Sequence, residues 1–349
     1  MPQPGLMSES WSMPEPSPLP EPDPSWPQSQ PQGASSEQPQ REAIAALRQR
    51  PVGIVGLGLI GGSLGLDLQA AGLEVRALVH RQATAERARQ RRLASQVSTD
   101  PAVLQECGLL VLALPLDRLL DPDPGLLRAL PPDAVLTDVG SVKQPVLARW
   151  RTLLEQAGRP GQVGRFVAGH PMAGTALAGV EAGVAGLFRG RPWVVTPAAD
   201  TNPAALATVR ALAELVGARW FSCEAGAHDK AVALISHLPV LVGAALLQAA
   251  DRSSAAAGLG DLARSLASSG FADTTRVGGG NPELGTLMAR CNREALLLAL
   301  AAYREAIGEL EAMVQGQQWP LLAVALAEAQ RQRPSFGAAP AGSQAKAED

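Results

Sequence analysis

The stretch VGIVGLGLIGGSLGLDL, residues 52–68, limits the folds open to this chain more than any other. Gly56, Gly58 and Gly61 form a G-x-G-x-x-G that directly follows a β-branched run and opens onto a helical one, with Leu59 and Ile60 between the second and third glycines. The first glycine permits a tight turn, the second lets backbone approach a pyrophosphate, and the third lets helix and strand pack closely. At the mouth of the helix the first N–H groups have no intrahelical partner and can serve the phosphates. One strand with one helix cannot bury its own apolar surface, so further βα units must flank it.

The chain supplies them. Short apolar runs predict strands at Val52–Val55, Glu74–Val79, Leu109–Leu114, Ala134–Val139, Phe166–Ala168, Trp193–Thr196 and Arg219–Cys223, alternating with Ala-, Leu- and Arg-rich helical stretches. The expected fold is α/β, a Rossmann-type doubly wound parallel sheet over residues 51–224. After Cys223 the strand signals stop, and helical spacing continues to about Gln332, broken by RVGGGNPELG. A second, all-helical domain is therefore expected over 225–332, and a chain of 349 residues can fill two cores. Residues 1–44, with eleven prolines in the first forty positions, are expected to be a disordered tail, and 333–349 a flexible one. The tail's acidic residues and its lack of arginine before Arg41 argue against a transit peptide.

Bulk properties exclude several partners. A formal net charge of -3 provides no field for nucleic acid or an anionic membrane. The longest apolar run, residues 231–250, is interrupted by Ser236, His237 and Pro239, so no membrane span is expected. Three widely separated cysteines indicate neither a disulfide framework nor a zinc site, which fits a reducing cytoplasm. His228 and His237 lie nine positions apart, too far to share a metal on one helix face, and no metal is expected.

The cofactor half of the site is read from strand ends. A site preferring NAD usually places a carboxylate after its second strand, to bind the ribose 2′-hydroxyl. Here that strand runs out into VHRQAT, giving His80, Arg81 and Thr84. Arg81 can pair with a 2′-phosphate and stack on adenine, which favours NADP. Leu114 and Pro115, ending the next strand in LALP, are expected to border the cofactor.

Chemistry in an open parallel sheet lies beyond the carboxyl ends of the strands. TDVGSVK, residues 137–143, and GHPMAGT, residues 169–175, both end there. His170 is suited to accept a proton from an alcohol, since an imidazole titrates near neutral pH, though taken alone it reads as readily as a satisfied, partly buried histidine in a βα turn. Ser141 can share a hydrogen bond with the same hydroxyl. Asp138 and Lys143 read more readily as a structural ion pair than as reacting groups. In the helical domain, His237 precedes a kink expected at Pro239, and Arg276 stands among threonines and glycines, suited to gripping a carboxylate.

These segments, GLGLIGGSLGLDL, TDVGSVK, GHPMAGT, HDKAVALISHLP and LASSGFADTTRVGGGNPELG, occur in an order and spacing that resemble the prephenate/arogenate dehydrogenases of tyrosine biosynthesis over about residues 51–330. The resemblance is greatest to the compact, cyanobacterial-type arogenate dehydrogenases that use NADP. It implies a Rossmann domain, a helical domain that forms a homodimer, and oxidative decarboxylation of L-arogenate to L-tyrosine. It puts the family's catalytic histidine on His170, its serine on Ser141, and its substrate-binding groups on His237 and Arg276, with Thr175 in the same loop. Several relatives carry an acidic residue after that threonine, where this chain has Ala176. The stretch after Gln332 is too short for an ACT-type sensing domain. The nearest rival is prephenate as substrate. A reductase with a catalytic lysine in its helical domain is disfavoured, because Lys230 is the only lysine between Pro145 and Gln344.

Overall fold

A computed structural model describes residues 37–336 except Ala176. Most of the expected N-terminal tail, the end of the C-terminal one and Ala176 thus lie outside the described residues. Inside the expected tail, however, a helix α1 (Glu37–Leu47) begins, and Ile44 and Leu47 pack on the sheet core.

Among the described residues, eight strands form one sheet: β1 (Val52–Val55), β2 (Val75–Leu78), β3 (Gln96–Ser98), β4 (Leu109–Leu112), β5 (Val135–Asp138), β6 (Phe166–Pro171), β7 (Pro192–Thr196) and β8 (Arg219–Ser222). Their order is β3-β2-β1-β4-β5-β6-β7-β8. Strand order reverses between β1 and β4, and a crevice opens at such a switch point beyond the carboxyl ends of the strands. The central strands β1, β4 and β5 are buried at every position, because helices cover both faces. One face packs Ile54, Leu64, Leu68, Val111 and Trp193; the other packs Val55, Leu110, Leu112, Leu136 and Trp150.

Three features depart from the sequence expectation. β3 has only three residues, Gln96, Val97 and Ser98, of which Val97 alone is buried; it becomes a strand by pairing along Arg76–Leu78 and carries no apolar run of its own. The strand expected over Phe166–Ala168 extends to Pro171, so His170 lies within β6 and not in a turn after it. β6 pairs parallel with β5 only at Phe166 and Val167, then runs on to pair antiparallel with β7, where His170 faces Val194. That antiparallel junction is the exception in an otherwise parallel sheet. It supplies ladder partners for a strand that has outrun its parallel neighbour.

The helices on the sheet include α2 (Leu59–Ala70), α3 (Gln82–Gln90), α4 (Leu116–Leu120), α5 (Pro124–Ala129), α6 (Gln144–Gln156), α7 (Pro160–Val163) and α8 (Pro203–Leu215). The chain then becomes helical: α9 (Ala225–Val232), a π turn (Ala233–His237), α10 (Leu238–Ala256), α11 (Gly260–Leu266), α12 (Ser269–Thr275), α13 (Pro282–Cys291), α14 (Arg293–Gln315) and α15 (Trp319–Gln332). The break expected at Pro239 is this π turn, lying just before the proline. Pro239 has no N–H to give and its ring crowds the carbonyl four residues back, so the preceding turn widens.

The helical region has a small core of its own, centred on Ala233, Leu238, Leu296 and Ala299. Around it Leu234, Ile235, Leu262, Leu266, Leu297, Leu298, Val324 and Leu326 are exposed. Residues Ala225–Ala256 are long and apolar enough to cross a membrane by length and composition, with a mean hydropathy of 1.9. Yet His228, Asp229 and His237 in this run are buried, and Asp229 is hydrogen-bonded to the sheet domain.

Candidate active site

The glycine motif sits at the switch point. Gly56 has φ 96°, a conformation that side-chain-bearing residues rarely adopt, and a Cβ there would lie 2.4 Å from the Ala113 carbonyl oxygen. A Cβ on Gly61 would stand 2.0 Å from the Gly56 carbonyl, so the helix approaches the strand only because no side chain intervenes. Gly58, the N-cap of α2, faces open space. Leu59 and Ile60 follow in the first turn, which contains no acidic residue to repel phosphate. This bare, open helix mouth fits a dinucleotide pyrophosphate. At the end of β2, His80 and Arg81 are exposed and Thr84 is half-buried. Among the described residues the Arg81 guanidinium has no ionic or hydrogen-bonding partner, whereas those of Arg87, Arg89 and Arg91 nearby are all engaged. Across the switch, Leu114 is half-buried and Pro115 is exposed at the N-cap of α4.

The loop that follows the GHPMAGT segment is fastened to the same nucleotide helices. Val184 donates to Ser63 Oγ at 2.9 Å and Gly186 to Asp67 Oδ1 at 2.7 Å, while Arg91 binds the Gly183 carbonyl at 2.7 Å. Gly62 and Gly183 meet backbone to backbone.

Beyond β5 and β6 lies a buried polar network. Asp138, at the end of β5, accepts N–H groups from Gly140 at 2.8 Å and Gly169 at 3.1 Å, and receives Lys143 Nζ as well. Lys143 Nζ also donates to the Gly169 carbonyl at 2.6 Å. Burial pushes the Asp138 carboxyl up and the Lys143 ammonium down, but three donors around one carboxylate and two oxygens around one ammonium hold the pair charged. The pair therefore clamps the end of β5 and the intervening loop to β6, the structural role expected of it.

His170 projects from that clamped strand. Its Nδ1 lies 3.0 Å from Nε2 of His228, whose Nδ1 lies 2.8 Å from Asp229 Oδ1. Asp229 also accepts the backbone N–H groups of Lys143 at 2.7 Å and Gln144 at 2.9 Å. Asn292 Nδ2 donates to the Asp229 carbonyl at 2.7 Å and stands 3.2 Å from His237 Nδ1. Among the described residues, the Ser141 hydroxyl and His237 Nε2 are buried without a protein partner, as are Thr137 Oγ1 and Trp193 Nε1 beside Gly169. Buried polar atoms are nearly always paired, so a group of unpaired ones around this network is consistent with a ligand-binding site.

Of the residues expected at the site, the network thus joins His170 to His237, and its anchor on Lys143 lies two residues from Ser141. Thr175 and Arg276 stay outside it. Both are exposed, and the Thr175 hydroxyl accepts the Leu177 N–H at 3.2 Å in a local turn. His228, Asp229 and Asn292 were not expected. His228 was legible only as half of a histidine pair with His237, because nothing in HDKAVALISHLP reveals that its partner is a strand 58 positions earlier.

Burial, and then the positive charge of Lys143, hold the His170 imidazole well below its usual pKa; burial brings His237 down to about 4. Both are neutral in the folded protein at pH 7, whereas in the unfolded chain they take up protons near 6.5. The unfolded state therefore binds more protons as pH falls, and their contribution to stability is complete above 6.5 and lost on the way down to the folded values. The urea midpoint is expected to drop between pH 7 and pH 5, with a shallower slope in His237→Gln. A midpoint that is flat over this interval would contradict the burial of these rings.

Two family models match the chain: the prephenate dehydrogenase nucleotide-binding domain over residues 64–222 and the prephenate dehydrogenase dimerization domain over 224–328. A cyclohexadienyl dehydrogenase of Zymomonas mobilis is 30% identical over 285 residues, covering 81% of this chain and 94% of that protein. A prephenate dehydrogenase of Lactococcus lactis is 28% identical, covering 74% and 69%. The crystal structure of Synechocystis arogenate dehydrogenase superposes with a TM-score of 0.69 at 40% identity, over 82% of this chain and all of that one. A prephenate dehydrogenase from A. aeolicus, solved with hydroxyphenyl propionate and NAD+, shares the fold at 24% identity and a TM-score of 0.70, covering 82% and 98%.

Proposed function

Because the chain belongs to the prephenate dehydrogenase family, we propose that it catalyses the oxidative decarboxylation of L-arogenate to L-tyrosine with NADP as oxidant. The observation that carries the reading is a neutral, buried His170 at the carboxyl edge of the sheet, beside an open glycine-lined helix mouth and an unpartnered Arg81. The 40% identity to an arogenate dehydrogenase supports the choice of substrate. Relatives named prephenate and cyclohexadienyl dehydrogenase favour prephenate as the second reading.

In this mechanism Gly56–Gly61, with Leu114 and Pro115 alongside, would hold the cofactor, which would supply the acceptor for the hydride lost from ring carbon 4. His170 takes the proton of the 4-hydroxyl as that carbon becomes a carbonyl. Ser141 Oγ, lacking a protein partner, hydrogen-bonds the same oxygen and holds it in line. The bond from the ring to its carboxylate then breaks, CO2 leaves, and its electron pair completes the aromatic ring. His170 returns the proton to the phenolate oxygen. His237, with its free Nε2, and Arg276 bind the polar ends of the substrate, with Thr175 in the loop beside it. For Arg276 and Thr175 this requires closure of the helical region or the approach of a second subunit, since both are exposed in the single chain.

A homodimer is the assembly that fits the exposed leucine-rich helices and the matching dimerization-domain model. The apolar side of Ala225–Ala256 belongs to that association and not to a membrane, because the same run carries buried Asp229 tied to the sheet. Free thiols at Cys107, Cys223 and Cys291 fit a reducing cytoplasm.

Steady-state kinetics with arogenate and prephenate, each with NADP and NAD, tests the proposal; higher kcat/KM for prephenate would overturn the substrate assignment. Arg81→Ala is expected to weaken NADP by about 10- to 100-fold, the worth of a charge-assisted pair, and to leave NAD affinity nearly unchanged. Equal effects on both cofactors would remove Arg81 from the 2′-phosphate.

A further inference from the structure

We propose that Asp229 and His228 are positioning residues that fix which nitrogen of His170 is free to accept a proton; this rests on His170 being the base. The donors and acceptors assign themselves along the chain. Asp229 Oδ1 accepts the Lys143 N–H and Oδ2 the Gln144 N–H, so the carboxylate is oriented by backbone on both oxygens. A carboxylate can only accept, and His228 Nδ1, 2.8 Å away, must donate. In a neutral His228 the lone pair then lies on Nε2. It accepts from His170 Nδ1 at 3.0 Å, which leaves the lone pair of His170 on Nε2, where no described residue competes for it.

Two consequences follow from the same geometry. When His170 takes a proton, its Nδ1–H becomes a stronger donor to His228, and the Asp229 carboxylate stands behind that imidazole. That hydrogen bond and the carboxylate behind it work against burial, Lys143 and the neighbouring imidazoles of His228 and His237, all of which oppose a charge on His170. The carboxylate that orients the relay also binds the N–H groups just after Ser141, so base and serine are held by one anchor. α9 thereby sets the chemistry of a strand in the other half of the molecule. The remaining ionisable neighbours are accounted for: Asp138 is occupied by Lys143, and His237 faces Asn292.

The chain has only four histidines, so histidine-selective 15N labelling yields a resolvable ring spectrum. At pH 7.5 His170, identified by its loss in His170→Asn, is expected to carry its proton on Nδ1. A proton on Nε2, or a doubly protonated His228, overturns the relay. Variants give a second reading. In His228→Gln the side-chain oxygen can still accept from His170 Nδ1, and kcat is expected to stay within about tenfold of native; His228→Leu has no acceptor and should lose about 100-fold or more, as bases in the wrong tautomer do. KM and NADP affinity should move less than about threefold in both. Equal losses in the two variants at equal melting temperatures would reduce His228 to packing. A native protein with the Nδ1–H tautomer that turns over neither arogenate nor prephenate would defeat the functional reading and leave the tautomer assignment standing.

Discussion

His170→Ala is expected to lower kcat by about 100- to 10,000-fold, the usual contribution of a positioned general base, while the affinity for NADP stays close to native. The asymmetry arises from where the side chain sits. The glycine motif, Leu114 and Pro115 belong to β1 and β4 and the turns after them, whereas His170 lies on β6 beyond the end of β5. Truncation removes the proton acceptor and leaves the helix mouth untouched. The protein should stay folded, because the strand is held on both sides without the imidazole: Lys143 binds the Gly169 carbonyl, and Val194 pairs with His170 through backbone. Single-turnover absorbance at 340 nm together with cofactor titration measures both quantities. Turnover within threefold of native would eliminate His170 as the base.

Asp138→Ala is expected to be the most destabilising single change at the site, costing about 3–5 kcal/mol, as removal of one member of a buried ion pair does. Lys143 and Asp138 side chains are both fully buried. Without the carboxylate, Lys143 must either lose its proton or remain charged with one carbonyl for company, and the Gly140 and Gly169 N–H groups lose their acceptor. The double variant Asp138→Leu with Lys143→Met removes both charges and should recover a large part of that loss, since the cost lies in the uncompensated charge. Urea denaturation of the two single variants and the double variant forms the cycle that checks this. A single variant within about 1 kcal/mol of native would show that the pair does not clamp β5 to β6.

Part of the candidate site was legible because its geometry is written in local spacing. Gly56, Gly58 and Gly61 occupy the turn their spacing demands, Arg81 stands free at the end of the second strand, and Ser141 has its hydroxyl unpaired in the loop after β5. β3 was missed because three residues with one buried valine carry no periodic signal; pairing with β2 creates it. His170 was expected just past the strand because the apolar run stops at Ala168, yet the antiparallel approach of β7 keeps the chain extended to Pro171. Asn292 had no signal at all, being an asparagine between two helices that happens to reach Asp229 and His237.

By itself, then, the sequence determined the parts that depend on neighbours a few positions away: the phosphate turn, the alternation of strands and helices, and the switch to a helical region after Cys223. It also determined the resemblance that the family models bear out. Only the tertiary structure decided what His170 touches. Hydrogen-bonding partners of a buried side chain are set by the elements packed against it, and here β6 meets α9 across 58 residues of chain. No local pattern encodes that distance. It follows from closing the helical region over the carboxyl edge of the sheet, and from Asp229 finding the two backbone N–H groups that anchor it there.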